Sequence, residues 1–422
     1  MIEIYLMILV VISLIVFKLK AGKDRRLFNI ILLAFGLRLF VLIFEFYIYP
    51  GLPYLTAPDS ERFHENGIEY AQYPLSYLLF PPYPSGSELY SYWLGIVYAL
   101  LGFESDLLAR AVNVFLGVLT IFNVYQINQI LWGRTIALQN TLLMAIFPLL
   151  VIYSQDLLRE SFVVYFLSLG IRHYCSWYRN SNWVNLVLAV TAIVLSAAFH
   201  VGALLSLVAI GLYNFWYAIR QIMSGQFVGL IKSIVAILVI GLGLAYINAT
   251  GWGLSDLGGE GALQEFGVEE LIERRGSGSA IEGRATYLQG LTATTPTDVI
   301  LQTPIRLVYF ALAPFPWMIR SAWDLVGLFD SLLYFLIILG IFRSWKVIKR
   351  DPLKVILVLM IIAMALTFTW GVTNYGTGMR HRAKIVILAI SLAPHLWPIR
   401  KLYYNRYIKK YEVKLKRIKV AD

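Results

Sequence analysis

The chain has 422 residues, of which 59% are hydrophobic and only 14% charged, with a mean hydropathy of +0.69. That composition excludes a soluble globular domain and a disordered chain, and it describes a polytopic membrane protein. The formal net charge of +11 is unevenly spread, so it bears on topology and not on nucleic acid; the single cysteine, Cys175, excludes an internal disulfide and a Cys-based metal site.

A helical span needs about 20 apolar residues. The first apolar run, Ile2 to Phe17, carries Glu3 where a signal peptide has its basic region, and no small-residue cleavage site follows, so it reads as a retained span. Further spans are expected over 27–49, 107–131, 135–153, 159–178, 182–200, 201–220, 226–247, 325–343, 353–373 and 383–398. Alternate connections are basic. They hold Lys18, Lys20, Lys23, Arg25 and Arg26, then Arg134, Arg172, Arg179 and Arg220, then Arg343, Lys346, Lys349, Arg350 and Lys354. The positive-inside rule puts that side in the cytoplasm, giving about eleven spans with the N-terminus outside and the C-terminus inside. The expectation is an all-α polytopic membrane protein: one transmembrane domain over 1–398, then a basic cytoplasmic tail, 399–422, suited to anionic lipid headgroups.

Two long segments fall outside on this topology. The first, 50–106, holds Asp59, Glu61, Arg62, His64 and Glu65 in one short polar patch beside a span. Pro58 keeps the preceding residue extended, and Asp59-Ser60 then reads as a helix start. Its second half, Glu88 to Phe103, is aromatic but short for a span and reads as a helix lying on the membrane. The second segment, 248–323, contains Glu265, Glu269, Glu270 and Glu273 ahead of Arg274 and Arg275, then Arg284, and ends in an interfacial stretch from Leu301 to Arg320. No internal repeat is evident, which weighs against a transporter of duplicated halves.

Charges inside a bilayer are costly and need partners or work. Asp59 is either a helix cap or a base. Arg38 lies within the second span, with Glu45 beyond it; Arg159-Glu160 opens the fifth; Arg306 and Arg320 flank Pro314-Phe-Pro-Trp317; Arg380-His381-Arg382 with Lys384 opens the last. Singly, each arginine reads as paired with a local carboxylate, Arg38 with Glu45 and Arg159 with Glu160. Together they put cations from distant parts of the chain on the side that carries Asp59. Arginine forks suit phosphate oxygens, so a lipid-linked phosphate fits, with Asp59 taking a proton from an attacking hydroxyl. His64 and His381 leave room for a divalent metal beside Asp59, although two histidines and an aspartate at unrelated spacings form no recognised ligand motif.

The residues that follow carry a resemblance: Arg38, Pro58-Asp59-Ser60 with Phe63-His64, Tyr90-Ser-Tyr-Trp93, Gly102-Phe-Glu-Ser, Ala109-Arg110, Asn113, Trp132-Gly-Arg134, Pro148 and Leu158-Arg159-Glu160. Over roughly residues 30–170 the pattern resembles the integral-membrane C-type glycosyltransferase superfamily, near the bacterial protein mannosyltransferase and aminoarabinose transferase proteins. The resemblance implies a polyprenyl-phosphate sugar donor used outside the cytoplasm, an inverting transfer, and an acidic residue of the first outer loop as base, which is Asp59 here. Many members have paired acids; here Ser60 and Glu61 follow Asp59.

The expected function is therefore a glycosyltransferase of cell-surface glycan assembly in a bacterial inner or plasma membrane. Asp59 is the expected base, assisted by Glu61 or His64, with Arg38, Arg159, Arg306, Arg380, His381 and Arg382 holding the donor phosphate. The acceptor is a glycan, lipid or protein. The alternatives are a polymerase of polyprenyl-diphosphate oligosaccharide repeat units and a lipid-linked glycan transporter or flippase.

Overall fold

The computed structural model describes residues 2–50, 58–80, 84–225, 227–252, 285–321 and 324–396, with residue 272 alone between them. The tail 399–422, the glutamates and arginines of 265–275, and Arg284 lie outside the described residues.

The described chain is helical, with one isolated bridge between Thr286 and Asn374 and no strand. The helices are α1 (Ile2–Ala21), α2 (Arg25–Ile43, extended by a π-helical turn, Phe44–Ile48), α3 (Pro58–Ala71), α4 (Leu75–Leu78), α5 (Ser87–Leu101) and α6 (Asp106–Trp132). They continue with α7 (Arg134–Ile146), α8 (Pro148–Tyr153), α9 (Glu160–Asn180), α10 (Trp183–Phe199), α11 (Leu204–Ser224) and α12 (Phe227–Thr250). The last four are α13 (Pro296–Leu312), α14 (Asp324–Ile348), α15 (Pro352–Gly371) and α16 (Tyr375–Ser391). Among the described residues seven helical segments are long and apolar enough to cross a membrane. The protein is an all-α polytopic membrane protein.

Local chemistry sets the helix ends. Asp24 caps α2 through the amide of Leu27, Ser105 caps α6 through Leu108, and Asn374 caps α16 through Thr377. Asp24 also takes Arg134 at 2.9 Å, and that hydrogen bond holds its carboxyl below the ordinary range. Gly133 adopts a positive φ of 86° between α6 and α7, where an L side chain is strained.

The expected span over 135–153 is broken. Pro148 opens α8 after an extended Phe147, and its missing amide leaves the carbonyl of Met144 without its helical donor. Arg38 of α2 reaches into the gap, donating to the carbonyls of Ala145 at 2.9 Å and Met144 at 3.5 Å. The last span also differs from expectation, since α16 begins at Tyr375 and not at 383. Its charged first turns are buried and paired, so the chain stays helical through them.

Connections gather at two ends. At one, Asp24 meets Arg134, Arg179 meets Asp351 at 2.7 Å, Lys354 sits over the Trp132 ring, and Lys232 reaches the Tyr178 carbonyl. These are the basic connections. At the other, the amide of Tyr287 donates to Thr373, Trp252 donates to Pro84, and the amide of Gly86 donates to Ala198. Helices α3 and α5 cover this second end, packed so closely that Gly67 faces Leu94 and Gly95 faces Tyr70. Tyr90, Tyr92, Leu94 and Tyr98 of α5 are buried within the protein, beyond what a helix lying free on a membrane would bury.

Candidate functional site

The first turn of α3 is positioned by its apolar face. Phe63 is buried edge-on against Tyr90 of α5, and the hydroxyl of Tyr90 accepts from the amide of Asn113 on α6. That amide also donates to the carbonyl of Asp156, fixing the turn before α9. Asp59 and Glu160, one from each of these elements, are thereby brought to the same place.

Arg380 of α16 joins them. Its Nη1 donates to Oδ2 of Asp59 at 2.6 Å and its Nη2 to Oε1 of Glu160 at 3.2 Å. Lys384, one turn further along α16, lies 3.4 Å from the same Glu160 oxygen and 3.2 Å from Nδ1 of His381. Glu160 is buried, at 5% exposure, whereas the Asp59 side chain is 38% exposed. The site thus has a wet rim at Asp59 and a dry floor at Glu160. Arg159 donates to the carbonyl of Phe199 at 2.9 Å and, with Arg380 and Lys384, acts electrostatically on Glu160. The ring of His381 stacks on Phe368 and meets His200 edge-on.

Beneath Glu160 lies a small cavity of about 30 Å³, lined by Arg38, Ser154, Ser161 and Tyr153 among others. Oε2 of Glu160 and Oγ of Ser161 are buried without a hydrogen-bond partner among the described residues. The charges of Arg380, Glu160, Asp330 and Arg382 all act electrostatically on Tyr153.

The remaining expected phosphate ligands are placed elsewhere. Arg382 sits two residues from Arg380, about 200° around the helix, so it faces away. It donates to the carbonyl of Ala311 and lies 3.6 Å from buried Asp330. Arg306 is stacked on Trp370 and donates to Gln302 and to the carbonyl of Leu291. Arg38 is spent on the break between α7 and α8. The expected local pair of Arg38 with Glu45 is not formed, because Glu45 is in close contact with Arg110. Glu61 is exposed, and Nδ1 of His64 is 2.9 Å from the hydroxyl of Tyr98, away from Asp59's partners.

Sequence reasoning named Glu160 only as a local partner and Lys384 only in passing. The spacing of Arg380 and Lys384 was the available signal, since i and i+4 share a helix face, and His381 lies three residues before Lys384. Among the described residues no group of three or more His, Cys, Asp and Glu side chains comes together to hold a metal ion.

No known family's sequence profile matches the chain, and no curated protein is significantly similar to it.

Proposed function

We propose that the protein is a membrane glycosyltransferase of cell-surface glycan assembly that moves a sugar from a polyprenyl-phosphate donor to an extracytoplasmic acceptor. The observation that carries this reading is the Arg380 fork, which joins the half-exposed carboxylate of Asp59 to the buried carboxylate of Glu160. A carboxylate at a rim can accept a proton, and arginines beside it can hold a phosphate. The reading includes C-type glycosyltransferase kinship, about eleven crossings, an external N-terminus and a bacterial inner membrane. Its support is the separation of this site from the end where the basic connections meet.

In this reaction the acceptor hydroxyl oxygen bonds to the anomeric carbon as the bond from that carbon to the phosphate oxygen breaks. The electron pair leaves with polyprenyl phosphate, and the hydroxyl proton passes to Asp59. Arg380 and Arg159, with Lys384 behind them, are placed to stabilise the charge that grows on the phosphate. A single displacement inverts the anomeric centre.

A second reading, a transporter of lipid-linked glycans, is favoured by the break between α7 and α8 and by the buried Asp330–Arg382 pair, since broken helices and buried charges line transport paths. The test is turnover by purified wild-type and Asp59→Asn protein on a panel of polyprenyl-phosphate sugars and polyprenyl-diphosphate oligosaccharides. Transfer from a single-sugar donor, reduced about 10²–10⁴-fold by the substitution, is the expected result. Use of diphosphate oligosaccharides alone would make the protein a repeat-unit polymerase. Movement of donor across vesicles without transfer would make it a transporter.

A further inference from the structure

We propose that Arg380 is an exchangeable partner: the phosphate of the bound lipid takes its outer nitrogen from Asp59, and that exchange releases Asp59 to act as the base. The inference rests on the glycosyl-transfer reading above and adds how the base is held idle until the donor is in place.

The geometry is asymmetric. Arg380 is held by two carboxylates, but only one of them can be displaced from outside. Glu160 is 5% exposed and shared with Lys384, so its side of the guanidinium is closed. Asp59 is 38% exposed, and its contact with Nη1 is the shorter of the two. An anion arriving at the rim therefore meets Arg380 on the Asp59 side. The local charge admits it: four cations, Arg62, Arg159, Arg380 and Lys384, act on two carboxylates, Asp59 and Glu160.

Chemistry makes the exchange useful. A carboxylate oxygen that already accepts a guanidinium N–H has that acceptor site filled and closed to an incoming hydroxyl. Oδ2 of Asp59 is occupied in this way by Nη1 of Arg380, and release is what opens it to the acceptor hydroxyl. Arg62 stays 3.5 Å from Asp59, but it is 58% exposed and screened by solvent, a weaker hold. The donor phosphate gains negative charge as its bond to the sugar breaks. Arg380 is consequently drawn further toward the phosphate at the stage when the acceptor's proton must be taken.

The exchange predicts competition between Asp59 and phosphate for one arginine, which is measurable without any turnover. Polyprenyl monophosphate, carrying no sugar, is the probe, and its dissociation constant is measured in nanodiscs for wild type, D59N, R380Q and D59N/R380Q. Removing the competing carboxylate is expected to tighten binding about tenfold, the equivalent of about 1.4 kcal/mol, and only while Arg380 is present. R380Q is expected to weaken binding, with D59N adding nothing in the double variant. Because R380Q leaves buried Glu160 with fewer partners, R380K serves as a second variant. It keeps a charge beside Glu160 and loses the fork, and in it too the gain from D59N is expected to vanish.

Wild-type binding that D59N leaves unchanged or weakens would overturn the exchange while leaving the glycosyl-transfer reading standing. A gain from D59N that persists without Arg380 would also overturn it. Failure of wild type and every variant to bind polyprenyl monophosphate would overturn the lipid-phosphate reading and the exchange with it.

Discussion

Asp59 and Arg380 lie 321 positions apart in the chain and 2.6 Å apart in space. One opens a short helix at the end of the bundle, and the other sits in the second turn of the last described α-helix. Their contact spans nearly the whole fold, so anything that moves α3 against α16 changes the site.

Glu160 holds the floor of the site. It is buried and faces both Arg380 and Lys384, so Glu160→Gln leaves two cations short of their counter-charge. Breaking a buried pair from one side costs about 3–5 kcal/mol. The expected outcome is a clear fall in the thermal inactivation midpoint. Lys384→Met, which leaves the Arg380–Glu160 contact intact, is expected to lower the midpoint less, and a combined Glu160→Gln, Lys384→Met protein is expected to recover part of the loss.

Arg38 is predicted to matter for folding and not for donor affinity. Its guanidinium supplies donors to the carbonyls of Ala145 and Met144 at the break between α7 and α8, and each buried polar group left unsatisfied costs about 1–3 kcal/mol. Arg38→Met is therefore expected to lower the midpoint while the folded fraction binds polyprenyl phosphate as tightly as wild type. Unchanged stability with a large loss of affinity would restore the arginine to the phosphate site.

How far the sequence was readable follows from these same residues. The long apolar runs and the basic connections between them were legible, because length and charge placement are local properties. Pro148 was also visible, but hydropathy averaged over 135–153 hid the break. The arginines were harder. Arg380 and Arg382 are nearly adjacent in the chain, and only the helical periodicity separates a residue facing Asp59 from one facing Asp330. The meeting of Glu160 with Arg380 across 220 positions depends on how α9 and α16 pack, which no local pattern encodes.

Glu61 and His64 share the polar patch with Asp59 but point to different surroundings. Glu61 is exposed, and His64 is engaged by Tyr98. Glu61→Gln is expected to leave turnover close to that of wild type and, as an exposed substitution, to change stability by no more than about 0.5 kcal/mol. His64→Phe is expected to lower the midpoint modestly without a selective loss of turnover. A drop from Glu61→Gln comparable to that from Asp59→Asn would mean that the second carboxylate takes part in the chemistry.

Gly95 links helix packing to the site. A Cβ at this position would fall 2.5 Å from the Cβ of Tyr70 and 3.2 Å from the backbone nitrogen of Ala71, so alanine cannot be accommodated without moving α3 away from α5. Overpacking of this kind costs about 1–3 kcal/mol. Because Asp59 rides on α3, the displacement also pulls its carboxylate from Arg380. Gly95→Ala is therefore expected to reduce turnover more than its modest loss of stability accounts for. Gly211→Ala is the control, since its added Cβ on α11 meets its nearest neighbour, Ile240 of α12, at an ordinary 3.6 Å. Equal turnover by the two proteins, both folded, would show that the close approach of α3 and α5 does not set the position of Asp59.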